Sequence, residues 1–473
     1  MQASRKLWIG SFGAALAAGA MLLGGCSAAT NAILGTTPSS SNSTVPVTIT
    51  DAPSDIVLAT SLTLSSVTLT DAKGTAVSVL SSPLTFEATH LDAVQEPLMM
   101  PAIPEDTYTS ATLTYANAIV AYIDPTTKQV DVATGVLQNN TQTITFPSAV
   151  AVSNTTTGLL VDYLVANSVT ISGSTVTVSP QFHVAAVPIP QAPTNGTNGL
   201  IVGVKGKVSA LGANSFTLTL PHGISVTAAV NSNTVYQGIT GFSALTVGAL
   251  IEADLTLQTD GTILATRVEE DVTPVANMMF VEGPVTAVTG SPATSFTMAV
   301  RDKVGATATT TPIETDAITI TGTTKFIIPV RAGTLATAAP PFAQLFSAST
   351  LFPGQAVTVA TSAVTNNSAT ALAVMLHPQT VGGTVTAINA PAGPAGLGNY
   401  TLTLDANGWL AKLSGKSTVT VYASPNMQAI NNATVTVGAT ARFHGFLFEV
   451  GGNLVLIAGV EADGPGNPIG PHI

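Results

Sequence analysis

Apolar residues alternate with threonine and serine at a period of two along most of this chain, in runs such as "SLTLSSVTLTD" at Ser61 and "SFTLTL" at Ser215. Side chains spaced that way can share one buried face only in a strand, because successive strand residues point to opposite sides of a sheet. Composition supports the same reading. Hydrophobic residues make up 45% of the sequence and charged residues only 8%, so hydroxyl-bearing faces rather than ion pairs must carry solubility. An all-β protein is expected.

One motif recurs three times. "VKGKVSAL" at Val204, "VEGPVTAV" at Val281 and "VGGTVTAI" at Val381 share the pattern V-x-G-x-V-[ST]-A-apolar, and each precedes a second strand, "SFTLTL", "SFTMAV" or "YTLTL". In the first copy Phe216, Leu218 and Leu220 point one way, and Thr217 and Thr219 the other. Each copy then has a glycine before an alternating strand, in "LTVGALIEADL", "LFPGQAVTVAT" and "VTVGATARFHG". A turn follows at Asp260 and Gly261, at Asn366 and Asn367, or at Gly451 and Gly452, and a last strand closes each copy, "ILATRVEE", "ALAVMLHP" or "LVLIAGVEAD". The second copy is lengthened by "RAGTLATAAPPFAQLFSAST", which reads as a loop insertion.

About five short strands with a glycine early in the first and a tight last hairpin suit a small barrel. These copies resemble domain of unknown function 5666, an OB-like bacterial module, most closely in "NSNTVYQGITGFSALTVGALIEADL" and "DGTILATRVEED" of the first copy. Three barrel repeats are expected at 200–272, 277–379 and 380–465, with a tail at 466–473.

Ahead of them, "VPVTITDAPSD", "ATSLTLSSVTLTDAKGTAVSVL" and "TYTSATLTYANAIVAYI" begin six to eight strands over 46–188, which suggest an antiparallel β-sandwich. "VTITDAPSD", "PEDTYTSATLTY" and "GLLVDYLVANSV" resemble the bacterial family called domain of unknown function 4382, which has a glycine where this chain has Asp106 before Thr107 and Tyr108. That resemblance implies no catalytic residues. Residues 189–199, in "VPIPQAPTNGTNG", read as a linker.

The chain opens "MQASRKLWIGSFGAALAAGAMLLGGC", with Arg5 and Lys6 ahead of an apolar run and small residues, the order of a secretory signal over 1–25. As a spanning helix, Leu7 to Gly25 is borderline in length and rich in glycine. Leu23, Gly24, Gly25 and Cys26 resemble the lipobox of bacterial lipoproteins, which implies cleavage before Cys26 and lipidation of its thiol. Cys26 is the only cysteine, and an alkylated thiol cannot mispair in an oxidising compartment. Several acyl chains, at about 0.8 kcal/mol per buried methylene, make such an anchor permanent. Ser27 after the cysteine implies, by resemblance to the sorting rule of enteric bacteria, the outer membrane. Residues 26–45 read as a flexible tether.

Loss of residues 1–25 removes Arg5 and Lys6 from 14 basic residues and none of the 25 acids, leaving a net charge of −13. OB-type barrels that bind nucleic acid use a basic groove and stacked aromatics. Here aromatics are 5% of the chain and the first copy offers only Lys205, Lys207 and Arg267, so nucleic acid is not an expected partner.

"LSGKST" at Leu413 ends like a phosphate-binding loop, but the required glycine five residues before Gly415 is Leu410, and a strand rather than a helix follows. No nucleophile elbow or zinc-binding helix motif occurs. His90, His183, His222, His377, His444 and His472 are scattered and read as ordinary strand or turn residues. Glu269, Glu270 and Asp271, and Glu105 and Asp106, could approach calcium if loops folded around them, but read as solvated strand ends. Asp51 and Asp55 in "TDAPSD" read as a turn. No catalytic residue, metal or cofactor is expected.

The function these features suggest is a non-catalytic, lipid-anchored envelope protein, attached to the membrane through its N-terminal lipid and offering its β-domains to a glycan or an envelope protein. The alternatives are a purely structural spacer and, less favoured, a hydrolase whose histidine, serine and acid would have to converge from different domains.

Overall fold

The computed structural model describes residues 41–189 and 200–463, apart from positions 53, 93, 154–156, 221–223, 259–261, 271, 273–276, 306–312, 330–339, 390–396 and 430–434. The signal segment, Cys26, most of the tether, the linker beyond Ile189, the Asp260–Gly261 turn, Asp271, His222 and His472 lie outside the described residues, and Ile189 itself is buried in the core of the first barrel.

The chain is all-β, a sandwich followed by three small barrels. One sheet of the sandwich is built on two long antiparallel strands, Val57–Asp71 and Thr107–Ile123, with Thr141–Ala151 beyond the second and Ala76–Ser78 and Leu84–Glu87 along the first. The other sheet runs Phe182–Pro188, Thr157–Leu164, Val47–Ala52, Glu96–Met99. Its central pair, in which Val161 faces Ile49, is parallel, while its outer pairs are antiparallel. Between the sheets Ile49, Leu62, Leu64, Tyr115, Val161 and Tyr163 are buried. Tyr163 stacks on Phe182 with ring centroids 4.8 Å apart. Asp71 ends its strand by accepting amide hydrogens from Lys73 and Thr75 at Oδ1 (2.8 and 2.7 Å), the turn expected from Asp71 to Gly74.

Each barrel has one topology. In the first, strands Leu200–Leu211, Ser215–Thr219, Ser225–Ala229, Leu250–Leu257 and Ile263–Glu269 close in the cyclic order one, two, three, five, four. The third and fifth strands are parallel, Ala228 facing Ile263, and the other pairings are antiparallel. The last barrel, Gln379–Asn389, Gly398–Thr403, Thr418–Ala429, Thr440–Val450 and Asn453–Asp463, repeats that order, with Val421 facing Leu456 in parallel. In the middle barrel the fifth strand is divided into Ser368–Thr370 and Ala373–Leu376; the first piece pairs with the third strand and the second with the fourth.

The repeated motif has a structural meaning at every fixed position. Its glycine lies where the first strand presses on the end of the second. A Cβ at Gly206, Gly283 or Gly383 would meet the carbonyl oxygen of Thr219, Ala299 or Thr403 at 3.2, 1.8 or 2.6 Å. The [ST] position is a β-bulge in all three copies, since the register slips between Val208 and Ala210, Val285 and Ala287, and Val385 and Ala387. The bulged hydroxyl reaches back to the second strand. Ser209 and Thr386 donate to the carbonyls of Thr217 and Thr401 (3.2 and 3.1 Å), and Thr286 shares a hydrogen bond with the Thr297 hydroxyl (2.8 Å).

The second valine of the motif anchors the fourth strand. The amide of Gly248, Gly354 or Gly438 donates to the carbonyl of Val208, Val285 or Val385 at 2.8 Å in each copy. Those glycines have φ of 95°, 97° and 91°, at the third position of tight turns, a conformation that excludes most L-residues. The hairpins read from Asn366–Asn367 and Gly451–Gly452 are present, with both central residues of each in the left-handed region.

The modules pack closely. The strand Val57–Asp71 is buried on both faces over its first half because Leu58 and Ala59 join the core of the last barrel, beside Leu402, Trp409 and Leu410. Phe446, Phe448 and Ile457 of that barrel pack into the core of the middle one. Part of the loop insertion joins this contact: Phe342 lies 5.9 Å from Phe448 and 5.8 Å from Tyr422 between ring centroids. Leu250 of the first barrel is buried with Phe280 and Met375 of the middle one.

Candidate functional site

The variable second position of the motif is Lys205, Glu282 and Gly382 in the three copies, and the residue beside it on the fourth strand is Glu252, Thr358 and Arg442. All six side chains or backbone sites lie where one module meets another.

Between the first and middle barrels, Lys205, Glu282 and His377 form a closed triangle. The Lys205 ammonium contacts Glu282 Oε2 and donates to His377 Nδ1 (2.8 Å), while His377 Nε2 donates to Glu282 Oε1 (3.0 Å). Burial lowers the pKa of His377; Glu282 opposes this and Lys205 reinforces it, so the imidazole is neutral. Burial alone would raise Glu282, but His377 and Lys205 outweigh it and hold the carboxyl well below its usual range. The Thr358 hydroxyl lies 3.3 Å from His377 Nδ1, the nitrogen that already faces Lys205. Histidine, acid and hydroxyl thus come together, but all three belong to the middle barrel rather than to different repeats, and the imidazole lone pair is turned to the ammonium of Lys205 from the first.

Beside this triangle, Arg267 is ringed by carboxylates. Its Nε donates to Asp254 Oδ2 and its Nη2 to Glu252 Oε1 (both 2.7 Å), and Nη1 contacts Glu269 Oε2. Glu269 is therefore no solvated strand end. It is only 2% exposed, and its second oxygen, Oε1, makes no hydrogen bond. Burial also raises the pKa of Glu270. Together with Leu250, Phe280, Met375 and Phe446, Glu269 lines a small cleft to which all three barrels contribute.

A second polar junction lies under the sandwich. Asp51 is fully buried and bridges to Asp92, whose Oδ1 accepts from Thr380 of the last barrel (2.8 Å). Asp55 accepts from Arg442 Nη2 (3.5 Å), and its carbonyl accepts from the Trp409 amide (2.7 Å). A Cβ at Gly382 would come within 3.0 Å of the Asp55 carboxylate, which is why the third copy carries glycine there. From the middle barrel Arg301 donates to the Leu58 carbonyl (2.8 Å) and sits 5.6 Å from the Trp409 ring centroid. "TDAPSD" is thus more than a turn: it docks the sandwich onto the last barrel, and Leu58 just beyond it meets the middle one.

His90 is buried nearby, its Nδ1 3.1 Å from Glu87 and its Nε2 3.5 Å from Glu96. Burial pulls its pKa down, but Glu96 and Glu87 prevail and, with Asp302 of the middle barrel, raise it well above the ordinary value. His444 pairs with Thr380 at 3.1 Å. His90, His377 and His444 are therefore junction residues, not ordinary strand positions. Opposite charges at one motif position, Lys205 and Glu282, were the available signal in a chain with so few charges.

The remaining sequence candidates have local roles. Glu105 accepts from Ser41 and, at 2.6 Å, from Ser43, joining two short strands, and Asp106 pairs with Lys73 at 3.3 Å. At "LSGKST" a short helix, Trp409–Ser414, precedes Gly415, whose left-handed conformation (φ 68°) ends it. The residues following are a helix C-terminus and a strand, with no helix N-terminus for a phosphate. Among the described residues, no group of three or more histidine, cysteine or acidic side chains is arranged to hold a metal, and no helix is long and apolar enough to cross a membrane.

Fold and junctions define an all-β chain of one sandwich and three OB-like barrels joined by buried ion clusters. Residues 205–269, the first barrel, match the family described as "Domain of unknown function (DUF5666)". No curated protein matches the chain.

Proposed function

We propose that this chain is a lipid-anchored protein of the bacterial cell envelope, acylated at Cys26 and placed in the outer membrane, whose β-modules act as a non-catalytic scaffold for a glycan or an envelope protein. One observation carries this reading: the second motif position and its cross-strand neighbour face another module in every copy. Some of the few charges hold modules together, in the ion pairs Lys205–Glu282 and Arg442–Asp55, and others pair within one module, as Arg267 does with Glu252, Asp254 and Glu269. The exterior is left to hydroxyl ladders such as Thr217–Thr227 and Thr112–Thr143, suited to neutral hydrogen-bonding partners.

The same observation favours a second reading, a stiff spacer that only projects or buttresses something else. Intact mass of the protein from the native membrane fraction tests the anchor. A form beginning at Cys26 with added acyl mass, lost in Cys26→Ala, is expected; an unmodified chain would overturn it. Crosslinking in intact cells separates scaffold from spacer, the scaffold giving one defined adduct and the spacer none.

A further inference from the structure

We propose that the groove between the first barrel and the sandwich is a binding site for a short neutral glycan. This deepens the glycan reading above and rests on it. The groove holds about 360 Å³, within the roughly 300–1,000 Å³ of small-molecule sites. Its polar lining is open to solvent, with Ser225, Thr227 and Thr262 all exposed. The barrel supplies these from its third strand and from the start of its fifth, beside Ile263. The sandwich supplies Met100, 38% exposed, one residue past the strand Glu96–Met99 that lies against the first strand of the barrel.

The groove lies where the parallel seam of this barrel is short. In the last barrel that seam pairs Val419 through Ala423 with Leu454 through Ala458, whereas in the first, among the described residues, the third strand meets the fifth only at Ala228 and Ala229. The Leu220 amide donates to the Ile224 carbonyl and the Val230 amide to that of Asn214, so the even-numbered residues of the third strand bond to the second. The amides and carbonyls of Ser225 and Thr227 therefore face the groove side. Their hydroxyls stand beside them, that of Thr227 sharing a hydrogen bond with Thr217 at 2.9 Å. Each hydroxyl is both donor and acceptor, and a strand edge carries N–H and C=O in turn, a mixture that the hydroxyls of a sugar match. None of the lining residues is charged, and a chain of net charge −11 repels anions. Met100 and Ile263 offer apolar surface to the C–H face of a pyranose ring. Eight residues line the groove, too few for a protein interface of about 20–30 residues a side.

The test is an array of neutral, acidic and amino-sugar oligosaccharides probed with the detergent-solubilised full-length protein. At least one neutral glycan is expected to bind, and calorimetric titration with it is expected to give one site per chain and an affinity unchanged by salt. Ser225→Ala combined with Thr227→Val removes two exposed hydroxyls and is expected to weaken that binding by about tenfold to a hundredfold. Ala229→Leu fills the groove from an outward position, is expected to abolish binding, and decides the matter if circular dichroism shows the double variant unfolded. An array blank for neutral glycans, a preference for acidic or amino-sugar glycans, or binding unaffected by either folded variant would overturn the site. A neutral glycan bound equally by the variants removes this groove and leaves the glycan reading in place. A blank array beside one defined protein adduct in cells removes the glycan and leaves the envelope-protein reading. None of these results depends on whether Cys26 is acylated.

Discussion

Adding one methyl group at Gly283 would put a Cβ 1.8 Å from the Ala299 carbonyl oxygen, whereas at Gly206 the nearest atoms are at 3.2 Å. The same motif position is thus absolute in the middle barrel and only tight in the first. Gly283→Ala is expected to destabilise by about 3 kcal/mol or more and Gly206→Ala by about 1 kcal/mol, read from thermal unfolding of the full chain. Asp162 gives a prediction of another kind. It is 1% exposed, neither carboxylate oxygen has a hydrogen-bond partner, and burial drives its pKa up to about 7. The folded chain therefore keeps a proton that the unfolded chain loses near pH 3.8. The stability associated with this proton is complete below about pH 4 and declines as pH rises through about 7, by an amount of order 4 kcal/mol. Asp51 is also raised, by burial first and then by Asp92, Asp162 and Glu87, and acts in the same direction. Calorimetric melting should show the sandwich weakening from pH 4 to pH 8, and Asp162→Asn should flatten that slope.

At the scale of elements, each barrel depends on two irregularities, a bulge in the first strand and a left-handed glycine before the fourth. Nothing lies within 4 Å of a Cβ built at Gly438, so the cost of a side chain there is conformational alone. Gly438→Ala is expected to cost about 1–2 kcal/mol through its φ of 91°. Thr286→Val removes the bulge hydroxyl's bond to Thr297 and should cost about 1 kcal/mol. Denaturation of each single variant and of the pair checks both values. The two changes sit in different barrels and should add.

For the whole molecule, the decisive contacts are those between modules. Glu282→Gln leaves the Lys205 ammonium buried beside His377 without its carboxylate, and breaking a buried pair from one side costs about 3–5 kcal/mol. The expected outcome is faster amide exchange on the first strands of both the first and middle barrels, with the sandwich unchanged. Replacing both charges, as Lys205→Met with Glu282→Leu, should recover much of the loss. Because Lys205 and His377 hold Glu282 well below its usual range despite burial, the stability this carboxylate contributes is present above about pH 4.5 and lost as pH falls further. The sandwich and the barrel junction therefore weaken at opposite ends of the pH scale.

Strand content, the threefold motif and the hairpin turns were legible because they are local, whereas the parallel third-to-fifth pairing that closes each barrel was not. Alternation records which face is buried, a repeated glycine records a close approach between neighbouring strands, and paired asparagines or glycines record a hairpin. The parallel pairing of Val47–Ala52 with Thr157–Leu164 left no such mark, since its partners lie more than a hundred residues apart in sequence. The junction chemistry was hidden for the same reason. Lys205 and Glu282 are 77 residues apart, and Lys205 and His377 are 172 apart. Asp51, Asp55, Glu269 and His90 look like turn or surface residues because nothing beside them in the sequence shows that another module will cover them. By itself the sequence determined which faces are buried, the threefold repeat and the hairpin turns, because those depend on neighbours a few residues or one hairpin away. Only the tertiary structure decided which charges meet and where a cleft remains, because desolvation and ion pairing are set by how the folded modules dock.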